Sequence, residues 1–219
     1  MLSLIPRASN IPHELVVLNL VEKEHTRPEY KEMNPTCQVP FINDDGFVLP
    51  ESTAILRYLA ASHHLADHWY PTDVKARARI DYLLDWYHTN IYHTSVYVME
   101  RELRPHLWKA ERDDSKVKSS EEKMIAAMNL VEEFFLKPEG PFLLGASQPS
   151  IADVVFACEY TQTLFLPKAE EEKLLSERPK TKKWLEVMEL SLTPHYTEAH
   201  KTLPDLIKMV EAVRSVKTL

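Results

Sequence analysis

Two short groups of residues in the first quarter of the chain have types and spacing suited to holding a peptide. Glu51-Ser52 stands ahead of Ile55, Leu56 and Leu59, which recur at helical spacing. The Ser52 hydroxyl is therefore placed as an N-cap, and the free N–H groups of the first helical turn face whatever lies before it, which makes an anion pocket. Val39-Pro40 is the second group. An X-Pro bond reaches cis at small cost, and a cis bond at a strand entry turns the Val39 N–H and C=O outward instead of into a sheet ladder. A carboxylate at the helix end, a peptide backbone at Val39 and an ammonium against Glu51 together describe a small peptide ligand with an acidic end. The plainer reading makes Pro40 an edge-strand proline and Ser52 an ordinary cap.

The elements that must position these residues are legible around them. Phe41-Ile42 and Phe47-Val48-Leu49 flank Asn43-Asp44-Asp45-Gly46, and the glycine supplies the positive φ of a tight hairpin. A helix runs from Ser52 to His64. Upstream, Leu15 to Leu20 reads as a strand buried on both faces. The stretch 66–73 breaks the period and reads as a linker, with Thr72 placed to cap the next helix. From there the pattern is helical throughout. Val74 to Leu103 reads as one long helix stopped near Pro105, and Ser119-Ser120-Glu121-Glu122 as a capping box ahead of Met124, Met128 and Val131. Ser150 and Asp153 form a second capping box, a structural pair and not a catalytic acid. Pro179 suits the first turn of a helix to Leu192, and Leu206, Met209, Val210 and Val213 mark a last one.

Composition narrows the function. A formal charge of −7 with no basic stripe argues against a nucleic-acid partner. Cys37 and Cys158 lie far apart without a C-x-x-C partner and read as buried free thiols of a reduced compartment. No apolar run approaches a membrane span, so a soluble, cytoplasmic protein is expected, and the Lys217-Thr218-Leu219 ending is only distantly like a peroxisomal address. Ten histidines show no metal-ligand spacing of the H-E-x-x-H kind, and no metal is expected.

Gln38-Val39-Pro40 followed by Glu51-Ser52-Thr53-Ala54-Ile55 resembles the glutathione site of soluble glutathione transferases. Asp67 to Asp73, together with Leu84-Asp85-Trp86-Tyr87-His88-Thr89-Asn90, resembles the plant-type theta class. The resemblance implies an α/β thioredoxin-like N-terminal domain over residues 1–65 and an all-helical C-terminal domain over 73–219. It implies that Val39, before the cis-proline, binds the cysteinyl backbone, that Glu51-Ser52 bind the γ-glutamyl group, and that His25 contacts the glycyl end. By residue type alone His25 is equally a solvated loop histidine. The implied activity is conjugation or reduction of small electrophiles with glutathione as co-substrate and no other cofactor, in a homodimer. A catalytically weak or inactive scaffold of the same fold is the alternative.

The resemblance departs at three places. Family members begin with a strand, a loop carrying the catalytic serine and a helix, whereas only Met1 to His13 precede the expected strand. A parallel crossover takes about a dozen residues including its helix, so a shortened domain is expected. Two alignments stay open. Either Leu4 to Ser9 is the end of the first helix, the preferred one, or Leu2 to Ala8 is a distorted serine loop with Ser3 as the catalytic candidate. The family's lysine before Val-Pro is Gln38, and the arginine after Asn90-Ile91 is Tyr92, so weak glutathione affinity is expected.

Overall fold

The computed structural model describes residues 3–216, so Met1, Leu2 and the Lys217-Thr218-Leu219 ending lie outside the described residues. Leu4–Ala8 forms a short helix, α1, whose Leu4, Ile5 and Pro6 are buried. This agrees with the alignment that reads the segment as helix. A second short helix, α2 (Pro28–Met33), opens with Pro28 in its first turn.

Phe41–Asp44 (β1) and Phe47–Pro50 (β2) pair antiparallel, with Phe41 opposite Pro50 and Asp44 opposite Phe47. Asp45 at φ 48° and Gly46 at φ 92° close the hairpin, the two positive φ values an Asp-Gly turn provides. The Asn43 side chain accepts the Gly46 N–H at 2.8 Å. α3 (Ser52–Ser62) follows at once and buries Ile55, Leu56 and Leu59.

The expected strand at Leu15 to Leu20 is not formed. These residues run open and exposed, with Val17 81% accessible, and β1 and β2 make the one sheet among the described residues. An apolar β-branched run has strand propensity, but a strand exists only where a neighbour completes its hydrogen bonds. Asn19 instead turns the chain, its side chain accepting the N–H groups of Val21 and Glu22.

Beyond the linker the described chain is helical. α4 (Val74–Thr89) is capped by Asp73, which accepts the Ala76 N–H at 2.8 Å, while Thr72 donates to Asp67 and caps nothing. The single helix expected to Leu103 is broken at Asn90 (φ −129°, ψ −88°). It resumes as α5 (His93–Val98), widens into a π turn at Met99–Leu103 and ends in α6 (Arg104–Leu107). Pro105 lies two residues before the helical run ends at Leu107, close to where the stop was expected. α7 (Asp114–Leu130) is capped by Asp113, well ahead of the expected capping box. Ser120 is therefore interior, donating to the carbonyls of Lys116 and Val117. The chain then passes through α8 (Ile151–Thr161), α9 (Lys168–Ser176), α10 (Pro179–Leu192), α11 (His195–Ala199) and α12 (Leu203–Val216).

Helix α8 is the axis of this domain, buried from Ile151 to Tyr160. Its expected capping box is present. Asp153 accepts the Ser150 N–H and hydroxyl on one oxygen, at 2.9 and 2.8 Å, and the Leu143 N–H and Trp184 indole N–H on the other, at 2.9 and 3.0 Å. The same carboxylate thus ties α8 to α10 and to the preceding loop. The α3 side is joined to the helices by Arg57, which donates to Asp81 and Asp85 at 2.8 and 3.1 Å, and by the Ile151 N–H donating to the Trp69 carbonyl at 3.0 Å. Among the described residues no helix is long and apolar enough to cross a membrane.

Candidate functional site

The hairpin register brings the two halves of the peptide site together. With Phe41 opposite Pro50, Val39-Pro40 and Glu51-Ser52 lie just beyond the same end of the two-stranded sheet, where opposed residues stand about 5 Å apart. Sequence separation hides a juxtaposition that one turn creates.

Each half is held by a distinct local device. The Val39-Pro40 bond is cis, as expected from the strand entry. Val39 is exposed, and none of the loop and turn backbone bonds among the described residues involves it. The loop is shaped from inside by Asn34, which is buried. Its amide donates to the Gln38 carbonyl at 2.7 Å, and its side-chain oxygen accepts the Thr36 N–H and hydroxyl at 3.2 and 2.8 Å. The Gln38 carbonyl is thereby fixed while Val39 stays open. Cys37 lies in the same loop with φ 54° and is half-buried, so the expectation of a buried thiol holds for Cys158 and fails for Cys37.

Glu51 and Ser52 meet the expected place with a changed assignment. Glu51, at φ 72° and ψ 111°, is the N-cap of α3, and Ser52 is its first helical residue. Neither makes a side-chain cap bond, which leaves the Ser52 hydroxyl and the first-turn N–H groups available to an anion. The left-handed φ of a non-glycine residue is a strained conformation of the sort found at ligand clamps, and it aims the chain into the helix. Across the seam, the buried Thr53 hydroxyl stands 3.3 Å from Nε2 of His88 on α4.

The remaining candidates sit on other segments of the chain. His25 sits in a 3-10 turn, Glu24–Thr26, half-buried, with its Nδ1 enclosed and without a protein partner. Ser3 heads α1, where its carbonyl accepts the Arg7 N–H at 3.3 Å. α1 packs against α11, and Arg7 reaches Glu198 there. Tyr92 lies just past the α4 break, 44% exposed, its ring 5.8 Å edge-on from Tyr87. A cleft of about 780 Å³ lies beyond the far end of α3, lined by His63, His64, Trp69 and the end of α10, an 11-residue helix away from Ser52. Among the described residues no cluster of His, Cys, Asp and Glu is arranged to hold a metal.

Comparison with known proteins decides what this arrangement belongs to. Residues 4–62 match the family model of the glutathione S-transferase N-terminal domain. Over 215 residues the chain is 34% identical to glutathione S-transferase T1 of Arabidopsis thaliana, covering 97% of this chain and 87% of that protein. The chain belongs to the theta-class glutathione S-transferases. It is also 30% identical to mouse (Mus musculus) glutathione S-transferase theta-2 over 202 residues, 92% of this chain and 80% of that one. The crystal structure of human glutathione transferase theta-2 in complex with glutathione and an unknown ligand superposes with a TM-score of 0.85 at 29% identity, covering 96% and 85% of the two chains. The fold is accordingly that of the glutathione transferases, a small thioredoxin-like N-terminal domain followed by a helical one.

Two features of this theta-class transferase escape a reading of the sequence. Asn34 carries the loop geometry, and an Asn-Pro step with a threonine two residues on is the signal that points to it. Glu159 is buried in the helical domain, accepting the Tyr87 hydroxyl at 2.9 Å and the Ser95 hydroxyl at 2.6 Å. Burial pushes its carboxyl up to about 7, against the hydrogen bonds from Ser95, side chain and backbone, and from Tyr87 that favour the ionised form. An isolated acidic residue in an apolar helix carries no sequence signal for such partners.

Proposed function

We propose that the chain is a glutathione transferase that conjugates or reduces small electrophiles with glutathione as co-substrate. The observation that carries this is the meeting of Val39-Pro40 with Glu51-Ser52 at one end of the hairpin, an open backbone beside an open helix N-terminus. Val39 pairs with the cysteinyl backbone, Ser52 and the first turn of α3 hold the γ-glutamyl carboxylate, and Glu51 takes the ammonium. Gln38 and Pro40 shape the loop, and His25 serves the glycyl end. In this reading residues 1–65 form the glutathione-binding unit and 73–219 the helical unit that shapes the electrophile pocket. The assembly is a cytoplasmic homodimer that removes electrophiles.

Ser52→Ala tests the assignment. Loss of a hydrogen bond to a charged carboxylate should weaken glutathione binding by about 1.5 to 3 kcal/mol in calorimetry. Equal affinity in both proteins would refute it.

A second reading, a glutathione-binding scaffold without turnover, is favoured by Gln38 and Tyr92 and by the helical fold of the segment carrying Ser3. Conjugation of an activated aryl halide separates the two, since the scaffold binds glutathione but leaves the halide unreacted.

A further inference from the structure

We propose that the cleft beyond the far end of α3 is a second small-molecule site, one for an uncharged aromatic alcohol. This goes beyond the glutathione reading and does not rest on it. The cleft measures about 780 Å³, within the range of small-ligand pockets, and lies between the end of α3, the linker, the loop before α8 and the end of α10. The 11 residues of α3, at about 1.5 Å each, set it roughly 16 Å from Ser52, so it is separate from the peptide site. One wall is tied at two points. The Ile151 N–H donates to the Trp69 carbonyl at 3.0 Å, and Nδ1 of His68 bonds the Pro149 carbonyl at 2.6 Å. The wall is therefore formed before any ligand arrives.

His68 fixes the chemistry of the ligand. A carbonyl only accepts, so Nδ1 carries the proton and Nε2 of the neutral ring is an acceptor. Among the described residues no protein donor bonds that nitrogen, and the half-buried ring lies against Trp69 with the ring centroids 4.7 Å apart. A ligand that pairs with it has a hydrogen to give. Six of the lining residues carry flat rings, His63, His64, His68, Trp69, Phe142 and His195, which suits an aromatic body. None of the lining residues is Asp, Glu, Lys or Arg, so a charged ligand would lose hydration without meeting an opposite charge. The formal charge of −7 adds to the case against an anion. A phenolic hydroxyl on a fused ring meets these conditions, since phenols ionise only near about 10 and stay uncharged at neutral pH.

Calorimetry on the full chain with 2-naphthol, 2-methoxynaphthalene and naphthalene-2-sulfonate tests this. 2-Naphthol should bind wild type, and the methyl ether, which has no hydrogen to give, and the sulfonate should each bind at least about fivefold more weakly. Ser191→Trp, which fills the cleft from the exposed end of α10, should abolish 2-naphthol binding and leave glutathione affinity unchanged. His68→Phe, which keeps a ring against Trp69 and removes Nε2, should bring 2-naphthol down to the level of the ether. The proposal is overturned by a wild type that does not bind 2-naphthol, by equal or greater affinity for the ether or the sulfonate, or by a His68→Phe protein that binds 2-naphthol as wild type does. Binding of 2-naphthol that survives Ser191→Trp overturns it too, since the ligand then sits in another pocket. If glutathione fails to bind while 2-naphthol follows the expected pattern, the cleft stands and the glutathione reading falls.

Discussion

The side-chain amide of Asn34 donates to the main-chain carbonyl of Gln38 at 2.7 Å, so a buried residue sets the shape of a loop whose next residue, Val39, is exposed. The bond spans the Cys37 backbone, whose left-handed φ would otherwise let the loop relax. Asn34→Ala leaves the Thr36 N–H and the Gln38 carbonyl without their partner. It should lower stability by about 1 to 3 kcal/mol and weaken glutathione binding in parallel. Wild-type affinity in a destabilised Asn34→Ala protein would show that the loop keeps its form by other means.

Asp153 accepts four donors while wholly buried, so its removal strands several polar groups at once. Asp153→Ala should destabilise the protein by about 3 to 5 kcal/mol, more than an ordinary cap is worth. Chemical denaturation reads this directly. A midpoint near wild type would mean that the network is replaced by water or by repacking.

Glu159 makes stability depend on pH. Its carboxyl titrates near 7 when folded and at the ordinary 4.5 when exposed, so the folded state holds the proton more tightly. The stability it contributes is fully present below pH 4.5 and is lost as pH rises from there through about 7, a change of about 3 kcal/mol. His93 and His200 are depressed by burial and act in the opposite sense, favouring the fold as pH rises. The difference between wild type and Glu159→Gln isolates the carboxyl. That difference should move in favour of the variant between pH 5 and pH 8, and parallel denaturation curves across the range would remove Glu159 from this role.

Ser3 heads a helix whose next two residues are buried, and its carbonyl belongs to that helix. Ser3→Ala and Ser9→Ala should each change kcat by no more than about twofold at pH 7. Were Ser3 the hydroxyl that activates the glutathione thiol, the loss would be steep at pH 7 and small at pH 9, where thiolate forms unaided. Steady-state rates at the two pH values distinguish the cases.

Legibility in the sequence tracks how local each determinant is. The Asp45-Gly46 hairpin, the Val39-Pro40 bond, the Ser150–Asp153 box and the start of α10 at Pro179 depend on neighbours in the chain, and all are readable there. Leu15 to Leu20 misleads because a strand is a property of two segments, and its β-branched run says nothing about whether a partner lies beside it. The α4 break at Asn90 is invisible for a related reason, since the apolar period continues across it through Leu84, Tyr87 and Ile91 while the backbone does not. The first turns of α3, α4 and α7 each start from a different cap than the expected one, Glu51, Asp73 and Asp113 in place of Ser52, Thr72 and Ser119. Several side chains near a helix start are able to cap it, and tertiary packing selects one.

The open stretch around Leu15, Val16 and Val17, 58%, 62% and 81% accessible, bears on colloidal behaviour. Extended backbone with bare amides and branched apolar side chains is a template onto which a like segment of another molecule adds. The stretch is expected to limit how far the protein can be concentrated before it self-associates. Val17→Lys should raise the concentration at which light scattering begins.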